Sequence, residues 1–157
     1  MTTPLFTGFT QHAYVTTDID RAQAVFAENY GVSKFLTMRD IPYGNGRALH
    51  IALAYAGNAM IELIQPIGDI PLYQETLPAR GFALRFHHLG HFLDSEAEWQ
   101  DILAQVKAKK MKIAVEGDAG GLKYLYVDLR DSLDHFVEYV YHGSLESQAM
   151  LAGIPRN

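Results

Sequence analysis

Apolar and polar positions change spacing several times along the chain, and the changes mark its elements. The run Phe-Thr-Gln-His-Ala-Tyr-Val-Thr-Thr at 9–17 is rich in β-forming residues and predicts a strand. Asp18 and Asp20 follow as possible helix caps. Ala22, Val25, Phe26 and Tyr30 then recur at helical spacing, and Gly31 supplies a stop. A short strand is predicted at 33–38. The Pro42, Gly44 and Gly46 stretch at 41–47 reads as a loop, and strands follow at 48–55 and 59–65 around a Gly57-Asn58 hairpin turn. Residues 66–81 read as a linker with one helical turn near 72–77.

The pattern then restarts. A strand is predicted at 82–93, with Asp94 or Ser95 capping a helix from Glu96 to about Lys109. A short strand at 111–115, a loop at Gly117, Gly120 and Gly121, and strands at 122–129 and 135–142 complete the second half. In the tail, 143–157, Leu145, Met150, Leu151 and Ile154 suit a short helix packed back on the body. The predicted order is βαβββ twice, an internal repeat over about 9–65 and 82–142.

Subtraction tests the repeat. His12 and His88, Asp18 and Asp94, and Glu62 and Glu138 are each 76 residues apart. Around the glutamates, Met60, Ile61 and Ile64 fall on Phe136, Val137 and Val140, all apolar. Each half therefore carries a histidine in its first strand and a glutamate in its last.

Length and composition add limits. A chain of 157 residues, 48% hydrophobic and 20% charged, fits one globular domain, 1–157, with a sizeable core. The absence of cysteine excludes disulfides, thiolate metal sites and a cysteine nucleophile. A net charge of −5 argues against nucleic acid as a partner. Lys107, Lys109, Lys110 and Lys112 read as the solvated end of a helix. The first 11 residues lack a basic start and a long apolar run, so no signal peptide is expected; no membrane span is expected either, and a cytoplasmic protein is the default reading.

The repeat directs attention to four side chains. Glu62 and Glu138 sit in apolar runs, Met-Ile-Glu-Leu-Ile and Phe-Val-Glu-Tyr-Val. A carboxylate there is costly unless paired, hydrogen-bonded or bound to a metal. Together with His12 and His88 they suit one divalent ion such as Zn, Ni, Co, Mn or Fe, which would polarise a substrate carbonyl. Alternation also puts Tyr14 beside His12, and Gly90 and Phe92 beside His88, as substrate-facing positions. His87 and His91 point the other way, and Asp18 and Asp94 are read as caps.

At these residues the chain resembles the vicinal oxygen chelate superfamily, which includes glyoxalase I, methylmalonyl-CoA epimerase, extradiol dioxygenases and bleomycin-resistance proteins. The resemblance rests on Gln-His-Ala-Tyr-Val (11–15), Ile-Glu-Leu-Ile-Gln-Pro (61–66), Phe-His-His-Leu-Gly-His-Phe-Leu-Asp (86–94), Val-Asp-Leu-Arg (127–130) and Phe-Val-Glu-Tyr-Val (136–140). It implies an α+β fold in which two βαβββ modules form a cupped mixed eight-stranded sheet around one metal. It implies His12, Glu62, His88 and Glu138 as ligands, with Glu138 and Glu62 as the catalytic acid–base pair. The function implied is a metal-dependent isomerase or lyase acting on a carbonyl or thioester through an enediolate.

The epimerases also use an acid near the third strand. Here that stretch, Ile-Pro-Tyr-Gly-Asn-Gly-Arg (41–47), has none. An alternative is a protein that sequesters an aromatic or antibiotic-like small molecule, for which nine Tyr and eight Phe supply surface. A third is an Fe(II) ring-cleaving dioxygenase, where Glu62 would crowd the iron. A homodimer is expected, because superfamily members commonly dimerise.

Overall fold

A computed structural model describes residues 2–157. The strands are β1 (Phe9–Thr16), β2 (Leu36–Pro42), β3 (Ala48–Ala56), β4 (Ala59–Ile67), β5 (Leu84–Leu93), β6 (Ile113–Ala119), β7 (Leu122–Asp128) and β8 (Phe136–His142). The helices are α1 (Ile19–Tyr30), α2 (Pro71–Gln74), α3 (Glu96–Ala108), α4 (Arg130–Leu133) and α5 (Leu145–Ala152). The strands make one mixed eight-stranded sheet in the order β2-β3-β4-β1-β5-β8-β7-β6. The α+β fold with two βαβββ modules is therefore present.

Two compact units divide the chain. One, here the first module, is Gln11–His87 with Gly153–Asn157; the other, the second module, is residues 2–10 with His88–Ala152. The units thus exchange their ends relative to the sequence repeat: the leading segment packs with the second module and the last five residues with the first.

In the first module, β1 runs parallel to β4, and β4 pairs antiparallel with β3 and β3 with β2. Asp18 caps α1, its carboxylate accepting from Arg21 N at 3.0 Å, and Gly31 ends the helix in a left-handed conformation (φ 71°) that an L side chain rarely takes. Between these caps Ile19, Ala22 and Phe26 line the buried face of α1. They pack with Val32, Ala52, Ala54, Ile61 and Leu63, with Tyr14, Phe35 and Phe82 at the margin.

The second module repeats the plan. β5 runs parallel to β8, and β8-β7-β6 are antiparallel. Ser95, not Asp94, caps α3 and accepts from Glu98 N at 3.2 Å. Trp99, Ile102 and Val106 of α3 pack on Leu93, Leu125, Val127, Val137 and Tyr139. Each such fully buried apolar side chain contributes about 1.5–3 kcal/mol of transfer free energy. The leading segment adds Leu5 and Phe9 to this core, and the Tyr139 hydroxyl donates to Leu5 O at 2.5 Å. Burial raises the Tyr139 phenol to about 12.

Several elements differ from the sequence expectations. β2 begins three residues later than predicted and runs through Ile41 and Pro42, with a register shift between Met38 and Ile41. β6 runs through Gly117, which the sequence assigns to a loop. A Cβ there would meet the Tyr124 ring at 2.3 Å, so the glycine makes room for a cross-strand aromatic rather than a turn. The tail does form a helix, and its last residues then pair with β3 through a parallel bridge between Tyr55 and Arg156.

Candidate functional site

Strand register sorts the candidate residues by face. In the first module Ala13 is opposite Glu62 and Gln11 opposite Met60. Opposed residues of a sheet share a face, so Gln11, Ala13 and Val15 lie with Met60, Glu62 and Ile64. The antiparallel pairing with β3 extends that face to Tyr55, Leu53 and Ile51. α1 packs on the other face, with Ile61 and Leu63. In the second module Gly90 is opposite Glu138 and His88 opposite Phe136. His88, Gly90 and Phe92 therefore lie with Glu138, Val140 and, on β7, Tyr126 and Tyr124.

Each face carries one polar pair in an apolar setting. In the second module, His88 Nε2 lies 3.1 Å from Glu138 Oε2, and His88 is wholly buried. The Tyr126 ring meets His88 edge-on, centroids 5.0 Å apart. In the first module, Gln11 Nε2 donates to Glu62 Oε2 at 3.1 Å, and both side chains are buried. A carboxylate only accepts, so the amide nitrogen must face Glu62. That leaves Gln11 Oε1 as a buried acceptor with no hydrogen-bond partner among the described residues. Such an oxygen is expensive to bury unless something cationic or protic meets it.

His12 is not part of this arrangement. It alternates with Gln11, shares its face with Tyr14 and is opposite Ile61, on the side that packs against α1. The first-strand partner of Glu62 is Gln11. The correction has a simple cause. The offset of 76 holds for the glutamates, but the helix caps are Asp18 and Ser95, 77 apart. Counting seven residues back from each cap gives Gln11 and His88, and a one-residue slip in a strand exchanges its faces. The missed signal was Ser95-Glu-Ala-Glu98, a Ser-x-x-Glu helix start that marks Ser95 rather than Asp94 as the cap.

Tyr14 is likewise displaced from its expected role. Its ring packs edge-on against Phe26 of the helix-side core, centroids 5.6 Å apart, and against the exposed ring of Phe86, 5.7 Å. Gly90 and Phe92 do share the face of His88 and Glu138. His87 and His91 point away from it as expected: His87 Nε2 lies 2.8 Å from Leu72 O, and burial lowers the His91 pKa against the opposing pull of Glu98 and Asp94. His142, on the Glu138 face, is also lowered by burial, against the pull of Ser147 O and Glu138.

Glu62 in the first module, and His88 and Glu138 in the second, are buried side chains of the types that hold a metal ion. The donor chemistry fits one: two carboxylates, an imidazole and the unsatisfied amide oxygen of Gln11.

Comparison of the fold with solved structures finds methylmalonyl-CoA epimerases. The enzyme from Mycobacterium tuberculosis superposes with a TM-score of 0.64 at 14% identity, covering 95% of this chain and 96% of that one. That of Streptomyces coelicolor, in complex with 2-nitronate-propionyl-CoA, gives 0.64 at 16%, covering 88% and 98%. The chain has the vicinal oxygen chelate fold. A hypothetical protein from Bacillus halodurans C-125 shares it at 0.66 and 18%, covering 87% and 94%. No family model matches the sequence, and no curated protein matches it. No helix among the described residues is long and apolar enough to cross a membrane.

Proposed function

We propose that this protein is a divalent-metal-dependent isomerase or lyase that moves a proton beside a carbonyl or thioester group. The observation that carries the reading is the duplicated buried pair: Gln11 with Glu62 in one module and His88 with Glu138 in the other, on equivalent strands and at the same separation. The four residues would hold one ion, and the bound ion would supply Lewis-acid polarisation of the substrate carbonyl. Three oxygen donors and one nitrogen make a harder set than two histidines would, which favours Mn(II), Co(II) or Fe(II) over Zn(II).

The chain's own residues divide the remaining work. Glu138 takes the proton from the carbon next to the carbonyl, and His88, 3.1 Å away, orients it. Gln11 orients the Glu62 carboxylate through its amide, and Glu62 returns a proton. Phe92, Tyr124 and Tyr126 give a largely apolar wall that excludes water from Glu138.

A CoA thioester is a candidate substrate, since the epimerases that share the fold are named for one. Their additional acid is absent from 41–47, so methylmalonyl-CoA itself is not singled out. Deuterium exchange from solvent tests the reading directly. A panel of acyl-CoA thioesters and 2-oxoaldehyde–thiol adducts should show exchange at the α-carbon with metal-loaded protein. No exchange with any of them overturns it. The aromatic wall also suits a small-molecule binding protein; ligand binding that survives chelation would favour that second reading. We also propose a cytoplasmic homodimer, which covers open sheet edges at β2 and β6; light scattering reads the mass.

A further inference from the structure

The last residues put a cation with no acidic partner among the described residues on the Glu62 face of the first module. Tyr55 N donates to Pro155 O at 2.8 Å and Asn157 N donates to Tyr55 O at 2.9 Å, which makes Arg156 the parallel partner of Tyr55. Following the registers, Gln11, Met60, Tyr55 and Arg156 form one row across that face. At about 4.8 Å per strand, the row spans roughly 14 Å between its end Cα atoms. The Arg156 guanidinium lies over the Tyr55 ring, 4.2 Å from its centroid.

The segment is fixed without help from that guanidinium. Asn157 Oδ1 accepts from Ser33 N at 2.9 Å and Lys34 N at 2.8 Å, and Asn157 Nδ2 donates to Lys34 O and Tyr55 O. Ile154 is buried. Arg156 itself is exposed, and no acid or carbonyl among the described residues takes its donors.

The second module shows what a neutralised version looks like. There the matching row runs His88, Phe136, Asp128, with Asp128 N donating to Lys112 O as Tyr55 N does to Pro155 O. Asp128 pairs with both Arg130 and Lys112 at 2.7 Å. Tyrosine stands in the place of that aspartate in the first module, so the cation beside it stays open.

We propose that Arg156 is a specificity residue that binds a substrate carboxylate about 10 Å from the reacting carbonyl, two strand spacings along the row. A single guanidinium matches the one charge and two oxygens of a carboxylate. The reacting end of this substrate rests on the function proposed above, but the recognition of its acid end is tested separately.

The Mn(II)-loaded full chain is titrated calorimetrically with suberate, whose carboxylates are spaced to bridge the centre and Arg156, and with monomethyl suberate. Wild type should bind suberate at least tenfold more tightly. Arg156→Gln should abolish the preference, and Arg156→Lys should keep part of it, with manganese content and melting temperature unchanged in both. Three results overturn the proposal: no suberate binding or no preference in wild type, an unchanged preference in Arg156→Gln, or an equal weakening of both ligands with a lowered melting temperature. Absence of proton exchange with every substrate would defeat the proposed reaction and leave the suberate preference standing. Loss of the preference alone would leave exchange with uncharged thioesters intact.

Discussion

The two modules share a backbone plan and differ in what they present on it. Position for position, Leu53 of the first stands where the second has Tyr126, Ile51 where it has Tyr124, Met60 where it has Phe136, and Val15 where it has Phe92. At these four positions one face is aliphatic or thioether and the other aromatic. The polar pair at the centre of each keeps the same separation, but one is amide–carboxylate and the other imidazole–carboxylate. Register and burial were retained while chemistry was reassigned around them. The asymmetry would give the proposed reaction two unlike sides: a harder, oxygen-only pair and a pair that includes an imidazole ring.

The strongest test of this comparison removes its better-anchored side. His88→Ala should lower metal affinity by at least about 100-fold, since even outer partners of ligands cost 10–100-fold; metal content after dialysis against a weak chelator measures it. Full occupancy in the variant would place the ion elsewhere. Next, Glu138→Gln should cut α-proton exchange by about 10²–10⁴, while Glu62→Gln should retain first-step exchange and slow the return of the proton. Equal losses in both would erase the distinction between the modules.

A smaller effect decides the register. Gln11→Ala should weaken metal binding by roughly tenfold and His12→Ala should leave it within about twofold, on the scale set for residues around a ligand set. The reverse outcome would restore the offset of 76 as the functional one. The least dramatic test concerns stability. Arg130 and Lys112 hold the Asp128 carboxyl well below the usual carboxylate range, the Arg130 hydrogen bonds being the larger cause. Asp128→Ala should cost about 2 kcal/mol at neutral pH, whereas Tyr55→Phe at the matching position should cost little. Because the folded state depresses this pKa, the contribution is complete above the ordinary carboxylate pKa. It fades as pH falls through the folded value, so wild type and variant should converge in acid urea titrations.

Much of the fold is written in the sequence at a coarse level. The βαβββ repeat follows from spacing alone, as do α1, α3 and the apolar strands around Glu62 and Glu138. Of the four proposed ligands, the two glutamates are readable, because a glutamate amid a five-residue apolar run advertises itself. The place of Gln11 on the Glu62 face was hidden by identity: His12 looks like His88, and Gln11 does not. Only the cap positions reveal that the halves differ by one residue between first and last strands. The Arg156 row was illegible for another reason. It depends on pairing between residues a hundred positions apart, and a bridge of that span leaves no periodic trace in the chain.

Gly117 offers a handle of a different kind. The Tyr124 ring lies where a side chain at 117 would stand, and its outer atoms are the ones a methyl group would displace. Backbone strain is not the obstacle, since Gly117 is not among the glycines with positive φ. Alanine there would swing one aromatic panel on the Glu138 face while leaving every proposed ligand untouched. The position of that ring beside Glu138 is thus adjustable by one carbon atom, a dial that selection or a protein engineer can turn without touching the polar pair.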